Sequence, residues 1–386
     1  MSLDHLRPFP PEELEQRLAR LRKAMSAAGL DAAVIIGPEN IYYLTGVDHY
    51  GFFFQYYLIV PLESQPILVC RRMEQVTMDI MLINTRFHGH LDHEHPADYV
   101  CEDIKELGLE KGRIGIEQQT LFGPYENYER LFAGLPNVSW VNFSGVVDDL
   151  RQVKSPLELD YIRRAGAISA AMTRAAVEAC AAGVAENEIA GEICKAMCSL
   201  GGNPPGFPPF IRSTPTLGME HGSWTTRRLD KKDIMFLELS GCYKHYHAPM
   251  GRMVFVGEKP KEADFISKVC IEAFNAVVEN LKDGNTAAEV YEKWQAVVDA
   301  AGLAHYTRHH CGYMMGIGFP PAWTGGSRVI GLRRYSDMVL KKGMTFHILS
   351  WLVGSGKGDY LVTNAAAVGD QGGENLIEYP MEPVVK

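Results

Sequence analysis

The side chains with the clearest chemical potential are a histidine and a carboxylate at a defined spacing. His221 closes a stretch rich in glycine and proline, and Glu238 follows 17 residues later in the apolar run IMFLEL. Burial in such a run raises the pKa of a carboxyl group, which suits a general base or a nucleophile. A neutral imidazole can pass a proton to a leaving nitrogen. We therefore predict an acid/base pair. The plainer alternatives are a histidine in a surface loop and a structural carboxylate paired with an arginine such as Arg252.

Further candidate ligand contacts are a histidine and several aromatic side chains. His247 lies on a strand expected to line the pocket, if the alternation of side chains continues back from Arg252. Trp323 and Phe54, with the phenylalanines before Phe54, can wall a small cationic or amidinium-like ring through their π faces. Core packing is the alternative for these aromatic residues, and a histidine without a role is the alternative for His247.

Two sequence patterns position these residues. Over residues 1–150, amphipathic helices alternate with short apolar strands, which predicts an α/β domain. A long helix then begins, with Ser155 as N-cap, Pro156 in the first turn and Glu158 completing a capping box. Residues 151–386 are predicted as an α+β domain, and residues 201–222 are too rich in glycine and proline for regular structure. The strands expected there are 234–239, 252–256, 345–352 and 361–368, with helices at 261–281 and 287–301.

Composition restricts the class of partner. The 386 residues include 47 acidic and 38 basic side chains, a formal net charge of −9. This balance disfavours nucleic acid or a membrane surface as a partner and favours a small molecule. The eight cysteines include no C-x-x-C pair, which indicates reduced thiols. The N-terminal stretch lacks the apolar segment of a secretory signal, and the most apolar helical stretch contains Arg174 and Glu178. We expect a cytoplasmic enzyme.

Five features of the sequence carry a family resemblance: the helix start RQVKSPLELDYIRR (151–164), the His221 to Glu238 spacing, YHAPMGR (246–252), GYMMGIG (312–318) and GMTFHIL (343–349). They resemble the creatinase, aminopeptidase P and prolidase superfamily. The match extends over the whole chain and is most specific over residues 151–370. The resemblance implies an α/β N-terminal domain followed by an α+β pita-bread catalytic domain. It also implies a homodimer, because in creatinase-like enzymes the N-terminal domain of one subunit reaches over the active site of the other.

The metal-binding positions of this superfamily are changed in the sequence. Its metallopeptidases bind two divalent metals through two aspartates, one histidine and two glutamates. The resemblance places Glu238, Pro249, Tyr313, Leu349 and Thr363 at these positions. Proline and leucine offer no ligand atom, and one carboxylate is too little for two dications. The resemblance therefore implies no metal and no other cofactor, and it argues against peptide cleavage by metal-activated water.

Two branches of the superfamily act without metals. Creatinase holds its guanidinium substrate with two glutamates, whose positions match Gly251 and Leu349, so the resemblance disfavours creatinase itself. The ectoine hydrolase branch has strings similar to ELSGC (238–242), YHAP (246–249) and GYMMGIGFPPAW (312–323). Its N-terminal domain is also similar to LTGVDHYGFFFQYYLIVP of this chain.

The resemblance to that branch implies metal-independent hydrolysis of a non-peptide C–N bond in a small zwitterion such as ectoine. Glu238 would attack the amidinium carbon or activate water, and His221 would protonate the departing nitrogen. Arg252 would clamp the substrate carboxylate, and Tyr313 would hydrogen-bond the substrate. The alternatives are a relative of the Xaa-Pro dipeptidases and aminopeptidases, a creatinase-like amidinohydrolase, and a binding module that keeps the fold without turnover.

Overall fold

The computed structural model describes residues 4–326 and 328–386, which form two compact units. The first unit ends at Arg151 and also includes Gly326 and Arg328, and the second contains the remaining described residues. Each unit is built around a sheet of its own.

A mixed six-stranded sheet forms the first unit. The strands are Ala32–Ile35 (β1), Tyr57–Pro61 (β2), Ile67–Arg71 (β3), Arg86–His90 (β4), Arg113–Ile116 (β5) and Ser139–Asn142 (β6), in the order β4-β3-β2-β1-β5-β6. The helices are Pro11–Ala27 (α1), Pro38–Thr45 (α2), Gln75–Met81 (α3), Pro96–Glu106 (α4), Tyr125–Gly134 (α5) and Val146–Leu150 (α6). β2 runs antiparallel to both neighbours, and the remaining pairs are parallel. Helices and strands alternate as predicted.

The second unit contains an eight-stranded sheet and four long helices. The helices are Pro156–Ala179 (α7), Glu186–Ser199 (α8), Ala263–Glu279 (α9) and Ala287–Val298 (α10). The strands are Phe210–Ser213 (β7), Ile234–Tyr243 (β8), Tyr246–Phe255 (β9), Gly312–Met314 (β10), Thr345–Trp351 (β11), Leu361–Ala367 (β12), Glu374–Asn375 (β13) and Val384–Val385 (β14). The main order is β10-β11-β12-β9-β8-β7. None of the helices within the described ranges combines the length and apolar character that a membrane crossing needs.

The start of α7 has the predicted capping box. The Ser155 hydroxyl accepts a hydrogen bond from Glu158 N over 3.3 Å, and Glu158 Oε2 accepts one from Ser155 N over 2.8 Å. Glu158 Oε1 also accepts a hydrogen bond from the Tyr246 hydroxyl over 2.8 Å. The residue that caps α7 therefore also fixes this helix to β9.

β8 and β9 form one long hairpin, which extends beyond the predicted strands. Their backbones pair from Ile234 with Phe255 to Tyr243 with Tyr246. Lys244 and His245 make the two-residue turn with φ of 50° and 59°, the sign that the twist of a hairpin requires at both positions. Asparagine and glycine are the usual signal for this turn. Because neither residue is present here, the sequence contains no signal for the turn, and both strands were predicted too short.

The prediction of irregular structure over residues 201–222 is wrong in part. β7 lies within this stretch and pairs antiparallel with β8 at the edge of the sheet. Two prolines precede the strand and Pro215 follows it, so no proline interrupts the short hydrogen-bonded ladder itself. The register places Phe210 opposite Glu238. This edge strand therefore contributes to the predicted site.

The helices of the second unit cover one face of its sheet. In α7, the Ser169 hydroxyl donates to Ala248 O and accepts from Gly241 N. In α10, Trp294 Nε1 donates to the Ser350 hydroxyl on β11. Side chains alternate along a strand, so the neighbours of these positions project to the opposite side. We call that opposite side the inner face; it includes Glu238, Pro249, Gly251, Tyr313, His347, Leu349 and Thr363.

Candidate active site

Backbone pairing assembles the predicted centre on the inner face. Glu238 pairs with Gly251, Gly251 with Thr363, and Thr363 with Leu349. Tyr313 pairs with a residue two positions before Leu349 on β11. Directly paired residues of neighbouring strands project to the same side of a sheet. The strands β8, β9, β10, β11 and β12 therefore present one continuous surface.

Glu238 supplies the carboxylate of this surface. It lies within β8 and is 8% exposed. Burial raises its pKa to about 7; the charges of Arg212 and Arg308 oppose this shift, and Glu220 adds to it. A carboxyl group with this pKa exchanges its proton near neutral pH, as a general acid/base must.

The side chains at the five positions that the resemblance assigns to metal ligands do not fit a pair of divalent ions. Pro249 and Leu349 have no donor atom, and Tyr313 carries a phenol whose pKa burial raises well above its usual range. Glu238 is then the one carboxylate among the five positions, whereas a metal pair needs several anionic oxygens. Within residues 4–326 and 328–386, no three histidine, cysteine or acidic side chains group as a metal site would require.

A hydrogen-bonded series that sequence reasoning missed runs along the inner face. Trp323 Nε1 donates to Tyr313 Oη over 2.8 Å, and this oxygen lies 2.8 Å from His347 Nδ1. His347 Nε2 lies 2.7 Å from Thr363 Oγ1. We call Trp323, Tyr313, His347 and Thr363 the polar chain. Burial lowers the pKa of His347 to about 3, so its ring is neutral. The histidine within the apolar string GMTFHIL was the available signal.

The Trp323 indole donates a hydrogen bond to Tyr313 and does not line an open pocket. Its side chain is 1% exposed and packs edge-on against Phe207, with ring centroids 4.9 Å apart. The ring centroid of Phe210 lies 5.5 Å from that of Trp323. The prediction that Trp323 contacts substrate is corrected accordingly, because its indole is covered by these rings and its N–H is bonded to Tyr313.

His221 lies at the exposed edge of the same aromatic group. Its ring centroid is 5.7 Å from that of Phe210, the residue paired with Glu238, and 6.4 Å from that of Phe207. His221 has a φ of 55°, which belongs to the left-handed region, and its side chain is exposed. The structure thus brings His221 near the site through Phe210, at the rim of the inner face.

The predicted role of Arg252 is wrong. Arg252 follows Gly251 on β9 and therefore projects to the helix-covered face, away from Glu238. Its guanidinium is buried and donates to four backbone carbonyls, those of Gly251, Thr363, Tyr379 and Pro380. These bonds leave it no free edge for a substrate carboxylate.

Arg212 is the arginine that the structure places on the inner face. It lies on β7 opposite Phe236, with its guanidinium carbon 3.8 Å from the centre of that ring. Arg212 is 2% exposed, and its Nε has no hydrogen-bond partner among the described residues. Its positive charge acts on Glu238. The sequence did not point to Arg212 because β7 was not predicted.

The structure also corrects the role of His247. This residue faces inward, as predicted, but both ring nitrogens are committed to the backbone. Its Nε2 accepts a hydrogen bond from Gly206 N over 2.9 Å, and its Nδ1 lies 2.9 Å from His245 O. Burial lowers the pKa of His247 to about 3, so the ring stays neutral. His247 therefore anchors the loop before β7, and no ring nitrogen remains to bind substrate.

Phe54 belongs to the first unit and is 46% exposed. Its ring lies 5.2 Å from that of Phe53, which is 70% exposed, and the Arg71 guanidinium stacks 4.5 Å above it. The assignment of Phe54 to substrate binding stays a prediction.

A cationic cleft of about 620 Å³ lies next to the site in the second unit. Arg308 connects the two: it lines the cleft, and its charge also acts on Glu238. Arg308 stacks on Trp351 and lies 3.6 Å from Glu220. Further residues lining the cleft are His309, Arg333, Arg334 and Tyr335. In a chain with a net charge of −9, this cleft offers a positive approach for a carboxylate.

Known proteins resemble the chain across both units. An ectoine hydrolase of Halomonas elongata is 29% identical over 98% of each chain. An Xaa-Pro dipeptidase of Pyrococcus furiosus is 25% identical over 87% of this chain and 90% of its own length. Among solved structures, a prolidase from Thermococcus sibiricus has a TM-score of 0.85 at 22% identity, covering 96% of this chain and 99% of that one. An Xaa-Pro dipeptidase from Bacillus anthracis has a TM-score of 0.83 at 22% identity, covering 97% and 100%.

These likenesses confirm the predicted fold, an α/β N-terminal domain followed by an α+β pita-bread domain. Residues 17–153 match the model of the creatinase/prolidase N-terminal domain, and residues 160–367 match that of metallopeptidase family M24. The second match covers more than half of the 386 residues. The chain therefore belongs to metallopeptidase family M24, a family of hydrolases.

Proposed function

We propose that the protein is a metal-independent hydrolase of a non-peptide C–N bond in a small zwitterion, with ectoine as its substrate. Glu238 carries this proposal: it is a buried carboxyl group with a pKa of about 7, on a face where the other positions that the resemblance assigns to metal ligands do not fit a metal pair. The ectoine hydrolase that is 29% identical over 98% of both chains supports the substrate class.

The chemistry follows from the electrophilic carbon of a cyclic amidinium. Glu238 attacks this carbon or takes a proton from the attacking water, and His221 delivers a proton to the departing nitrogen. One C–N bond breaks, and the ring-opened product contains an amide and an amine. Arg212, with its unbonded Nε, takes the role of clamp for the substrate carboxylate. The phenol of Tyr313 supplies a further hydrogen bond.

We also propose a cytoplasmic homodimer that acts on a small molecule, without a nucleic-acid or membrane partner. All eight cysteines are free thiols, as in proteins of a reducing compartment. The exposed rings of Phe53 and Phe54 offer an apolar surface to a second subunit. The resemblance to creatinase-like enzymes supports the dimer.

Xaa-Pro dipeptide cleavage is the second candidate. It is supported by the dipeptidase that is 25% identical over 87% of this chain. Such cleavage would need the two-metal centre that the side chains of the inner face do not fit. A binding module without turnover is the third candidate. A creatinase-like amidinohydrolase is disfavoured, because this chain has Gly251 and Leu349 where the resemblance places the two substrate-binding glutamates.

The decisive experiment is incubation of purified, chelator-treated protein with ectoine, followed by proton NMR. We expect signals of the ring-opened product, and none with the Glu238→Gln variant. Folded protein that binds ectoine without converting it would favour the binding module. Cleavage of an Xaa-Pro dipeptide that needs added manganese or zinc would favour the dipeptidase.

A further inference from the structure

We propose that the polar chain is a proton relay from Glu238 to Tyr313, which makes the Tyr313 hydroxyl a proton donor to the leaving nitrogen. The inference rests on the proposed function and adds to it a second donor, inside the site, beside His221 at the rim. Tyr313 would touch the reacting atoms, whereas His347 and Thr363 act through it and are positioning residues.

The number of protons that each side chain carries shows why these residues can pass protons to one another. Trp323 only donates, so Tyr313 Oη accepts its N–H and keeps one proton of its own to give. A neutral His347 carries one ring proton, and Thr363 carries one hydroxyl proton. The hydrogen bonds can therefore run from Tyr313 to Thr363, or from Thr363 to Tyr313. In the second direction Thr363 donates to His347 Nε2, His347 Nδ1–H donates to Tyr313, and the phenol proton is free for a ligand.

Glu238 lies beside the Thr363 end of the polar chain, where the exchange would begin. Thr363 Oγ1 and Glu238 Oε1 lie 2.7 Å and 3.9 Å from the same nitrogen, His347 Nε2. Gly251, the residue between Glu238 and Thr363 in the sheet, keeps this space open. A Cβ at Gly251 would lie 2.9 Å from Thr363 Oγ1 and 2.8 Å from a Leu361 methyl group.

The relay returns the proton that hydrolysis releases. Glu238 takes a proton from the attacking water while the oxygen binds the amidinium carbon. As the C–N bond breaks, Tyr313 gives its phenol proton to the departing nitrogen. Tyr313 regains a proton from His347 Nδ1, His347 takes one at Nε2 from Thr363, and Thr363 is refilled by the Glu238 carboxyl. Each group ends with the number of protons it began with, and the net change is one water consumed. The His347 proton has moved from Nδ1 to Nε2, so the hydrogen bonds must return to their starting direction before the next turnover.

Burial helps the relay because it keeps every member neutral. His347 and Thr363 are fully buried, and the pKa of His347 is lowered to about 3. The pKa of Tyr313 is raised above its usual range by burial and by the Glu238 carboxylate. When the transfers are concerted, each neutral group receives one proton as it gives another, so none is left with a buried charge, which would be costly in this environment.

The kinetic test removes one hydroxyl at a time. We expect Tyr313→Phe to lower kcat for ectoine by about 100-fold, and Thr363→Val to lower it by at least about 10-fold with KM nearly unchanged. Thr363→Ser keeps the hydroxyl and should restore most of the rate. Thr345→Val is the matched control, because Thr345 lies on β11, the strand of His347, but bonds to Met315 O, outside the polar chain. Equal kcat values for wild type and Thr363→Val would overturn the relay.

A second readout does not depend on turnover. In ¹⁵N-histidine-labelled protein, the His347 ring should be neutral at pH 6 to 8, with both nitrogen shifts intermediate between the two tautomers. Thr363→Val and Tyr313→Phe should each move these shifts toward one tautomer, and Thr345→Val should not. A protonated ring, or shifts that neither variant moves, would overturn the relay. If wild-type protein does not convert ectoine, the proposed function fails while this spectrum still decides on the relay.

Discussion

At the residue scale, the inner face combines one carboxylate with a series of neutral side chains that hydrogen-bond to one another. At the five positions that the resemblance assigns to metal ligands, this chain has one carboxylate, Glu238, together with a phenol, a hydroxyl and two apolar side chains. A lone buried carboxylate is held near its ionisation point by desolvation on one side and arginine charge on the other. Proton transfer at neutral pH is the chemistry that such a group favours.

The pH dependence of kcat/KM should report Glu238. Because Glu238 must be deprotonated to act as base or nucleophile, activity should rise with pH around a midpoint near 7, well above the usual value of 4.5. Glu238→Gln should lower kcat by about 10²- to 10⁴-fold. The measurement is a steady-state pH profile of the free enzyme's kcat/KM for ectoine.

Two neighbouring charges provide matched controls for this profile. Arg212 lowers the pKa of Glu238 and Glu220 raises it, so Arg212→Gln should move the midpoint upward and Glu220→Gln downward. Arg212→Gln should also raise KM by about 10- to 100-fold through loss of a charge-assisted hydrogen bond. A midpoint that stays in place in both variants would assign the titration to another group.

The sequence was enough to predict Glu238 as a site residue, because a carboxylate inside an apolar strand is conspicuous. Arg212 was not considered, because β7 was not predicted. Arg252 was chosen from a predicted strand, and the sequence could not establish that its side chain and that of Glu238 project to opposite faces. That choice depends on register, and a shift of one residue moves a side chain to the opposite face. His347 was missed for a related reason: its partners Tyr313 and Thr363 come from other strands and lie far away in sequence.

At the scale of elements, local signals predicted most boundaries and failed where tertiary pairing decides. The capping box fixed the start of α7 correctly, since all its donors and acceptors lie within four residues. The turn at Lys244 and His245 and the edge strand β7 have no such local signal. These elements depend on hydrogen bonds to the rest of the sheet. The sequence pattern alone therefore made the two strands of the hairpin too short and omitted β7, and in this unit it also omitted β10, β13 and β14.

Two helical glycines should respond to alanine with opposite signs. Gly191 in α8 is exposed with open space around it, so Gly191→Ala should stabilise the protein by about 0.5–1 kcal/mol through higher helix propensity. In α7, a Cβ at Gly166 would lie 2.4 Å from Leu376 O, so Gly166→Ala should destabilise by about 1–3 kcal/mol. Urea unfolding midpoints test this. Changes of the same sign in both variants would contradict the packing of α7 against the segment around Leu376.

In the first unit, the carboxyl of Glu117 joins β5 to the start of α2. Its oxygens accept hydrogen bonds from Ile36 N, Gly37 N and Asn40 Nδ2 over 2.6–2.8 Å. Burial raises the pKa of Glu117 from 4.5 to about 7. The folded state therefore holds this proton more tightly than the unfolded state, and its contribution to stability is complete below pH 4.5 and lost as the pH rises to about 7.

Glu117→Gln should remove this pH dependence. Between pH 4.5 and pH 8, wild type should lose roughly 3 kcal/mol relative to the variant. The glutamine can keep the bonds to Ile36 N and Gly37 N, because Asn40 Oδ1 lacks a partner among the described residues and can accept from the new amide after a flip. The measurement is the free energy of unfolding as a function of pH. Parallel curves for the two proteins would show that Glu117 does not titrate in this range.

At the scale of the whole molecule, the proposed dimer connects the two units of different subunits. Phe53 and Phe54 in the first unit expose rings that a monomer would leave in water, while the Glu238 site belongs to the second unit. If the first unit of one subunit covers the site of its partner, each active site draws on both chains. Such an arrangement can be recognised because two different inactive variants restore activity when they are mixed, which a site built within one subunit would not allow.

Mixed dimers of two defective variants should recover activity. We expect light scattering to give twice the chain mass of 43.0 kDa, and Glu238→Gln and Phe54→Ala to be impaired when each is tested alone. In a mixed dimer, one site combines an intact Glu238 from one chain with an intact Phe54 from the other, so random mixing should restore about a quarter of wild-type activity. Mixing Glu238→Gln with Thr363→Val should restore little, because both positions lie in the same unit and no site regains both. Only a site shared between subunits can be complemented in this way. A monomer in solution, or no gain of activity from the first mixture, would therefore show that Phe54 does not contribute to the active site of a partner subunit.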